Sequence, residues 1–218
     1  AYGEFRRGGV PSALELAAYG VAVAYVAGFL VLSFAVARSS DQPVWLFDKR
    51  SPGQFVPALL FRLSFSGAVL WPFGATFFCN AFSADPLSGV LSGYAPDAIG
   101  LAFVVAGACF ALIGQDYMGN SWRIGTAEDH VGSIVDSGPF AISRNPVFVG
   151  QAILFIGLFI TKPNLVQAIL TGSALCAIVL QVRIEERVLV QALGEPYRAY
   201  CRRVARWIGY RSTQSGDL

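Results

Sequence analysis

The sequence predicts an all-α, polytopic integral membrane protein of about five transmembrane helices, with a C-terminal amphipathic helix on the cytosolic side. Three observations carry this reading. Of 218 residues, 55% are hydrophobic and only 14% are charged, against about 25% charged in an ordinary soluble domain. The deficit, which gives a mean hydropathy of +0.54, is concentrated in apolar runs near the roughly 20 residues that a spanning helix needs. Finally, Lys and Arg gather in alternate loops, as the positive-inside rule requires.

The first apolar run covers 13–37 and is too long, and too poor in small-residue cleavage signals, to read as a signal peptide. The second, 55–80, carries Arg62 and a Trp71-Pro72 step at which a kink is expected. The third covers 97–118. The fourth, 147–161, is short, and the fifth, 165–182, follows after only Lys162-Pro163-Asn164. These last two form a tight helical hairpin. Residues 1–96 then make an N-terminal unit of two helices and loops, and 97–218 a second unit ending in the tail.

Orientation follows from the loops. Arg38, Lys49 and Arg50 follow the first run, Arg123 and Arg144 follow the third, and Arg187, Arg198, Arg202, Arg203, Arg206 and Arg211 lie in the tail. The opposite loop, 81–96, has no Lys or Arg, and the hairpin tip has only Lys162. Arg6 and Arg7 dissent, but the majority places the C-terminus and the 119–146 loop in the cytoplasm. The tail over 184–208 is amphipathic, broken near Gly194-Glu195-Pro196. Its mixture of Tyr197, Tyr200, Trp207 and arginines suits a helix lying at the lipid headgroups. Glycines within the runs (Gly20, Gly28, Gly67, Gly74, Gly107, Gly114, Gly157, Gly172) are expected to permit close helix packing.

Several residues are candidates for chemistry, each with a plainer alternative. Glu185 and Glu186 follow directly on an apolar span, where ionisable groups are costly unless used or paired. One can hold a cationic group while the other pairs with Arg144, Arg183 or Arg187; for two adjacent acids alone, a solvated helix end is the simpler reading. Asn145-Pro146 starts the fourth helix, with Asn145 a natural N-cap and proline in the tolerated first turn. Amides there can bind a polar ligand, although Asn-Pro is a good start for any helix. His130, the single histidine, sits in Glu128-Asp129-His130 and reads best as an exposed loop residue. Arg62 can snorkel, pair with an acid or contact a substrate. Cys79, Cys109, Cys176 and Cys201 show no Cys-x-x-Cys spacing, so neither a disulfide framework nor a metal site is expected. No phosphate-cradling glycine loop is present, and nucleic acid is not an expected partner.

In order, the motifs are Gly138-Pro139-Phe140, then Arg144-x-Pro146-x-Phe148-x-Gly150, the apolar hairpin and Glu185-Glu186, and last Gly194-Glu195-x-Tyr197-x-x-Tyr200-x-x-x-Val204-x-Arg206. This succession resembles the isoprenylcysteine carboxyl methyltransferase family and its phospholipid-methyltransferase relatives, over roughly 120–211. The resemblance implies S-adenosylmethionine as cofactor, held on the cytosolic side below the hairpin, with 97–218 as the methyltransferase-like core. Residues Gly132, Ser133, Ile134, Val135, Phe140, Arg144, Asn145, Pro146, Val147, Phe148, Glu185 and Glu186 would bind it, with Glu185 on its amino group. Arg183 and Gln181 would face the substrate. The sequence departs from the family at Asn145, where histidine is usual, at Phe140 and Phe148, where tyrosine is common, and at Gly132, where a second histidine is expected. Asn cannot titrate near neutral pH, and Phe keeps stacking but loses the hydroxyl.

The implied function is transfer of a methyl group to a lipophilic or lipid-linked acceptor at the cytosolic face of a bacterial inner membrane or the endoplasmic reticulum. The alternatives are an NADPH-dependent membrane reductase of the sterol-reductase type, and a catalytically inactive family member that binds a lipid or a protein partner.

Overall fold

The computed structural model describes residues 11–39, 55–77, 85–87, 90–91, 93–122 and 134–209. Its helices are α1 (Ala13–Ser39), α2 (Phe55–Phe77), α3 (Tyr94–Met118), α4 (Pro146–Thr161), α5 (Leu165–Leu193) and α6 (Glu195–Arg203). Three of them, α1, α3 and α5, are long and apolar enough to cross a membrane, which makes this an integral membrane protein. Among the described residues, three of the five expected spans meet that length and composition, and the other two coincide with shorter apolar helices. The apolar stretch of α2 covers only Ala58–Trp71. The 16 residues of α4 rise about 24 Å at 1.5 Å per residue, short of a hydrocarbon core of about 30 Å. Asn145-Pro146 and Lys162-Pro163-Asn164 punctuate α4 at both ends, so it cannot lengthen.

The helices alternate in direction, and polar caps fix one end of the bundle. Ser12 Oγ accepts from the Glu15 amide at 3.1 Å and donates to Asp97 Oδ2 at 2.6 Å, tying the start of α1 to the start of α3. Asn164 caps α5, accepting from the Gln167 amide at 2.8 Å, and also accepts from Trp71 Nε1 of α2 at 2.9 Å. Lys162 reaches Glu15 at 3.7 Å.

The tightest packing is between α3 and α4, and glycine permits it. A Cβ placed on Gly107 would lie 2.5 Å from both Gly150 O and Leu154 N. A Cβ on Gly157 would lie 2.7 Å from Val104 N and 2.8 Å from Gly100 O of α3, and Gly100 abuts Thr161. The expectation of close approach therefore holds at Gly107, Gly114 and Gly157. It finds no support at Gly20, Gly74 and Gly172, where a Cβ would meet nothing within 4 Å among the described residues. The glycines that matter are seven residues apart, two helical turns, so they line one face.

Inside the bundle, polar groups bond across helices. Gln151 Nε2 donates to the Tyr25 hydroxyl at 2.8 Å, and Gln115 Nε2 donates to Ser33 Oγ at 2.9 Å and Phe29 O at 3.0 Å. The Trp122 indole also donates to Ser33, at 3.1 Å. Such bonds satisfy groups that lipid cannot.

The tail differs from a helix resting on lipid. The fifth run and the first part of the helical tail form one helix, α5, to Leu193, and the break expected near 194–196 falls at Gly194, whose φ of +62 turns the chain into α6. The aromatic face of α6, Tyr197 and Tyr200 with Val204, packs on Ile134, Leu189, Val190 and Leu193 of the protein itself. Its exposed side carries Glu195, Arg198, Arg202 and Arg203, with Arg202 bonded to Glu195 at 2.6 Å.

Candidate functional site

At the end of the bundle opposite the hairpin turn, four pieces of chain meet: the segment before α4, the start of α4, the last turns of α5, and α6 with the strap that follows it. The segment enters through Gly138, whose φ is +57 and whose missing Cβ would strike the Tyr117 ring at 2.6 Å. Only glycine fits there on both counts. A 3-10 turn over Gly138–Ala141 follows, with Phe140 buried. The Tyr200 hydroxyl donates to Phe140 O at 2.7 Å. Burial holds that hydroxyl well above the ordinary tyrosine range, so it stays protonated and remains a donor. Tyr200→Phe is expected to lower stability by about 1 kcal/mol, the usual net worth of one hydrogen bond, read as a small fall in the unfolding midpoint in detergent.

The next three residues turn inward. Arg144 is buried, and its guanidinium forks onto Glu186: Nε lies 3.0 Å from Oε1 and Nη2 3.2 Å from Oε2. Its Nη1 donates to the carbonyls of Cys201 at 3.0 Å and Val204 at 3.2 Å. Arg206 adds Nε at 2.8 Å and Nη2 at 2.7 Å, both to Glu186 Oε2. This charge-assisted bonding raises the pKa of the Arg206 guanidinium further. Asn145 occupies the N-cap position of α4, yet its side chain makes no capping bond. Its Nδ2 instead donates to Glu186 Oε1 at 3.2 Å and to Arg206 O at 3.1 Å. A local capping preference has yielded to a buried carboxylate 41 residues away. The first-turn amides of Val147 and Phe148 are thereby left without a side-chain cap. Backbone bonds complete the closure, with Arg144 N donating to Ala205 O at 3.0 Å and Gly209 N to Ile142 O at 2.9 Å.

The two glutamates thus differ. Glu186 is buried and takes donors on both oxygens, whereas Glu185 is half-buried and makes no hydrogen bond or ion pair among the described residues. Arg183 and Arg187, expected as alternative partners, are exposed and pair with neither acid; Arg187 Nε donates to Arg183 O at 3.2 Å. One turn toward the membrane from Glu185, on the same flank of α5, lies Gln181. It is half-buried, and its Oε1 is buried with no partner among the described residues.

The other expected site residues are distributed around this cluster. Ile134 and Val135 are half-buried, Ile134 against the Tyr197–Tyr200 cluster. Pro146 and Val147 are buried in the bundle. Phe148 is half-buried, with its ring edge-on to Phe61 of α2 at 6.3 Å. Gly132, Ser133 and His130 lie outside the described residues, as does Arg123. Arg62 is exposed on α2, next in sequence to Phe61. Arg206 and Tyr200 were matched as motif residues but not placed in the site. Their part in it depends on contacts with segments 20 and 60 residues away.

Residues 96–196 match the phospholipid methyltransferase family. The recognition drawn from the C-terminal motifs stands, and the match supports a membrane methyltransferase activity in general. No curated protein matches the chain significantly.

Proposed function

We propose, from the phospholipid methyltransferase match over 96–196, that this chain is an S-adenosylmethionine-dependent methyltransferase. It acts on a lipophilic small molecule or lipid-linked acceptor at the cytosolic membrane face, through a core over 97–218. The carrying observation is the flank of α5 that holds Glu185 and Gln181, a carboxylate without a partner and a buried amide oxygen without a donor among the described residues. Two acceptors one helical turn apart suit an ammonium group, which the cofactor carries on its amino-acid end.

The residues present fit that cofactor. Glu185 would hold its amino group, and the uncapped amides of Val147 and Phe148 would take its acceptor oxygens. When bound, S-adenosylmethionine supplies an electrophilic methyl group on sulfonium. The chain itself has to align acceptor and methyl and to exclude water. Phe148 and Phe61 furnish an apolar wall beside the α4 start for a lipophilic acceptor. Asn145 stands where histidine is usual and is occupied by Glu186 and Arg206 O, so it does not serve as a base. An acceptor already ionised, such as a carboxylate or thiolate, needs none.

The test is calorimetric titration of the detergent-purified protein with S-adenosylhomocysteine, and with NADPH in parallel. Saturable binding of the first is expected. Glu185→Gln should weaken it by tenfold or more, since hydrogen bonds to charged groups are worth about 1.5–3 kcal/mol, while the exposed Glu195→Gln leaves it unchanged. Binding of NADPH alone, or of neither, would overturn the reading.

A further inference from the structure

Glu186 has both carboxylate oxygens occupied by protein donors, which raises the question of what the arrangement is for. It joins the α4 start, the end of α5 and the strap after α6 through one carboxylate. Arg144 is the buried member, its side chain 4% exposed, and belongs to the interior. Arg206 is different: its side chain is 40% exposed, yet two of its nitrogens converge on Glu186 Oε2. An ion pair so open to solvent adds little to stability, but it fixes direction. Val182 and Glu186 are buried on one face of α5, one turn apart, and Glu185 is rotated about 100° from Glu186 around the helix. Holding Glu186 therefore holds the azimuth of Glu185 and Gln181.

We propose that Arg206 is a positioning residue, which by gripping Glu186 aims the Glu185 flank of α5 at the bound ligand. The inference rests on the function proposed above, because it takes Glu185 as the ligand-holding group. Arg206 touches no reacting atom; it acts through Glu186 and the rotation of α5. The strap over 204–209 thereby becomes part of the binding site without touching its occupant.

A double-mutant cycle read by S-adenosylhomocysteine titration tests this. Arg206→Ala is expected to weaken binding by about tenfold, the scale seen when the supporting partner of a binding group is lost. Arg206→Lys, which keeps the charge and one donor to Glu186, should recover most of it. In the Glu185→Gln background, Arg206→Ala should add less than about twofold, because the group it positions is already gone. Arg203→Ala, which removes only an exposed pair with Asp136, should change nothing. If Arg206→Ala does not fold, Arg206→Gln, with one donor kept, is read in the same cycle. Equal losses in both backgrounds would overturn the positioning role while leaving the cofactor reading intact. Absence of binding by the unmutated protein would remove the cofactor reading, and this inference with it.

Discussion

Replacing Glu186 with alanine is expected to lower the unfolding midpoint of the detergent-solubilised protein by on the order of 10 °C. The carboxylate accepts from Arg144, Asn145 and Arg206. Its removal leaves the Arg144 guanidinium, 4% exposed, as an uncompensated buried charge. Breaking a buried pair in this way costs about 3–5 kcal/mol. Glu186→Gln keeps the shape and one acceptor oxygen, so it should fall between alanine and the parent. Joint replacement by apolar residues, Arg144→Met with Glu186→Leu, removes the stranded charge and should recover part of the loss. Recovery stays incomplete, because the carbonyls of Cys201 and Val204 lose their donor. Thermal unfolding followed by size-exclusion chromatography reads all three variants. If Glu186→Ala matched the exposed Glu195→Gln, the buried network would contribute nothing to stability.

That difference between two neighbouring acids was not readable from composition or spacing; only the family resemblance set Glu185 apart. Glu185 and Glu186 share composition, neighbours and distance from the apolar run. Which one faces the interior is set by the rotation of α5, and so by packing. The same limit hid the part of Arg206, which lies 20 residues beyond its partner. Asn145 shows a local rule overruled: the residue type suits an N-cap, but the buried carboxylate is the stronger acceptor for its amide. By contrast, α1, α3 and α5 were legible because long apolar runs leave few alternatives. The bounds of α4 were legible because proline follows Asn145 and Lys162 directly. The break at Gly194 was legible, but the continuity of the fifth run with the tail helix was not, for a physical reason. Charges at Arg183 to Arg187 mark where the apolar run stops, but a helix can leave the membrane and continue. Only Gly194, with its positive φ, stops it. Tyr197 and Tyr200 gave the amphipathic pattern of the tail, but a pattern names a buried face without naming what buries it. Here the covering surface is the end of α5 and Ile134.

Gly107→Ala, a change of one methyl group, is expected to cost about 3 kcal/mol or more, at the upper end of overpacking effects. Its Cβ would sit 2.5 Å from Gly150 O and Leu154 N. Both are backbone atoms of α4, so no side chain can swing aside and the helices must part. Separation strips contacts along the whole α3–α4 seam, since Gly100, Gly150 and Gly157 are in similar contact across it. The control is Gly172→Ala. A Cβ there meets nothing within 4 Å among the described residues, and alanine is the better helix former, so stability should hold or rise by up to about 1 kcal/mol. Gly107→Ala and Gly150→Ala strain the same crossing, and their joint effect should fall short of the sum. Ligand binding should fail before the fold does. Pro146 at the start of α4 rests on Gly114 of α3, so parting the seam shifts Asn145, and with it the carboxylate that orients the end of α5. Titration with S-adenosylhomocysteine below the unfolding midpoint should therefore show weakened binding in Gly107→Ala and none of that loss in Gly172→Ala. Equal behaviour of the two variants would mean that the α3–α4 seam neither limits stability nor sets the site.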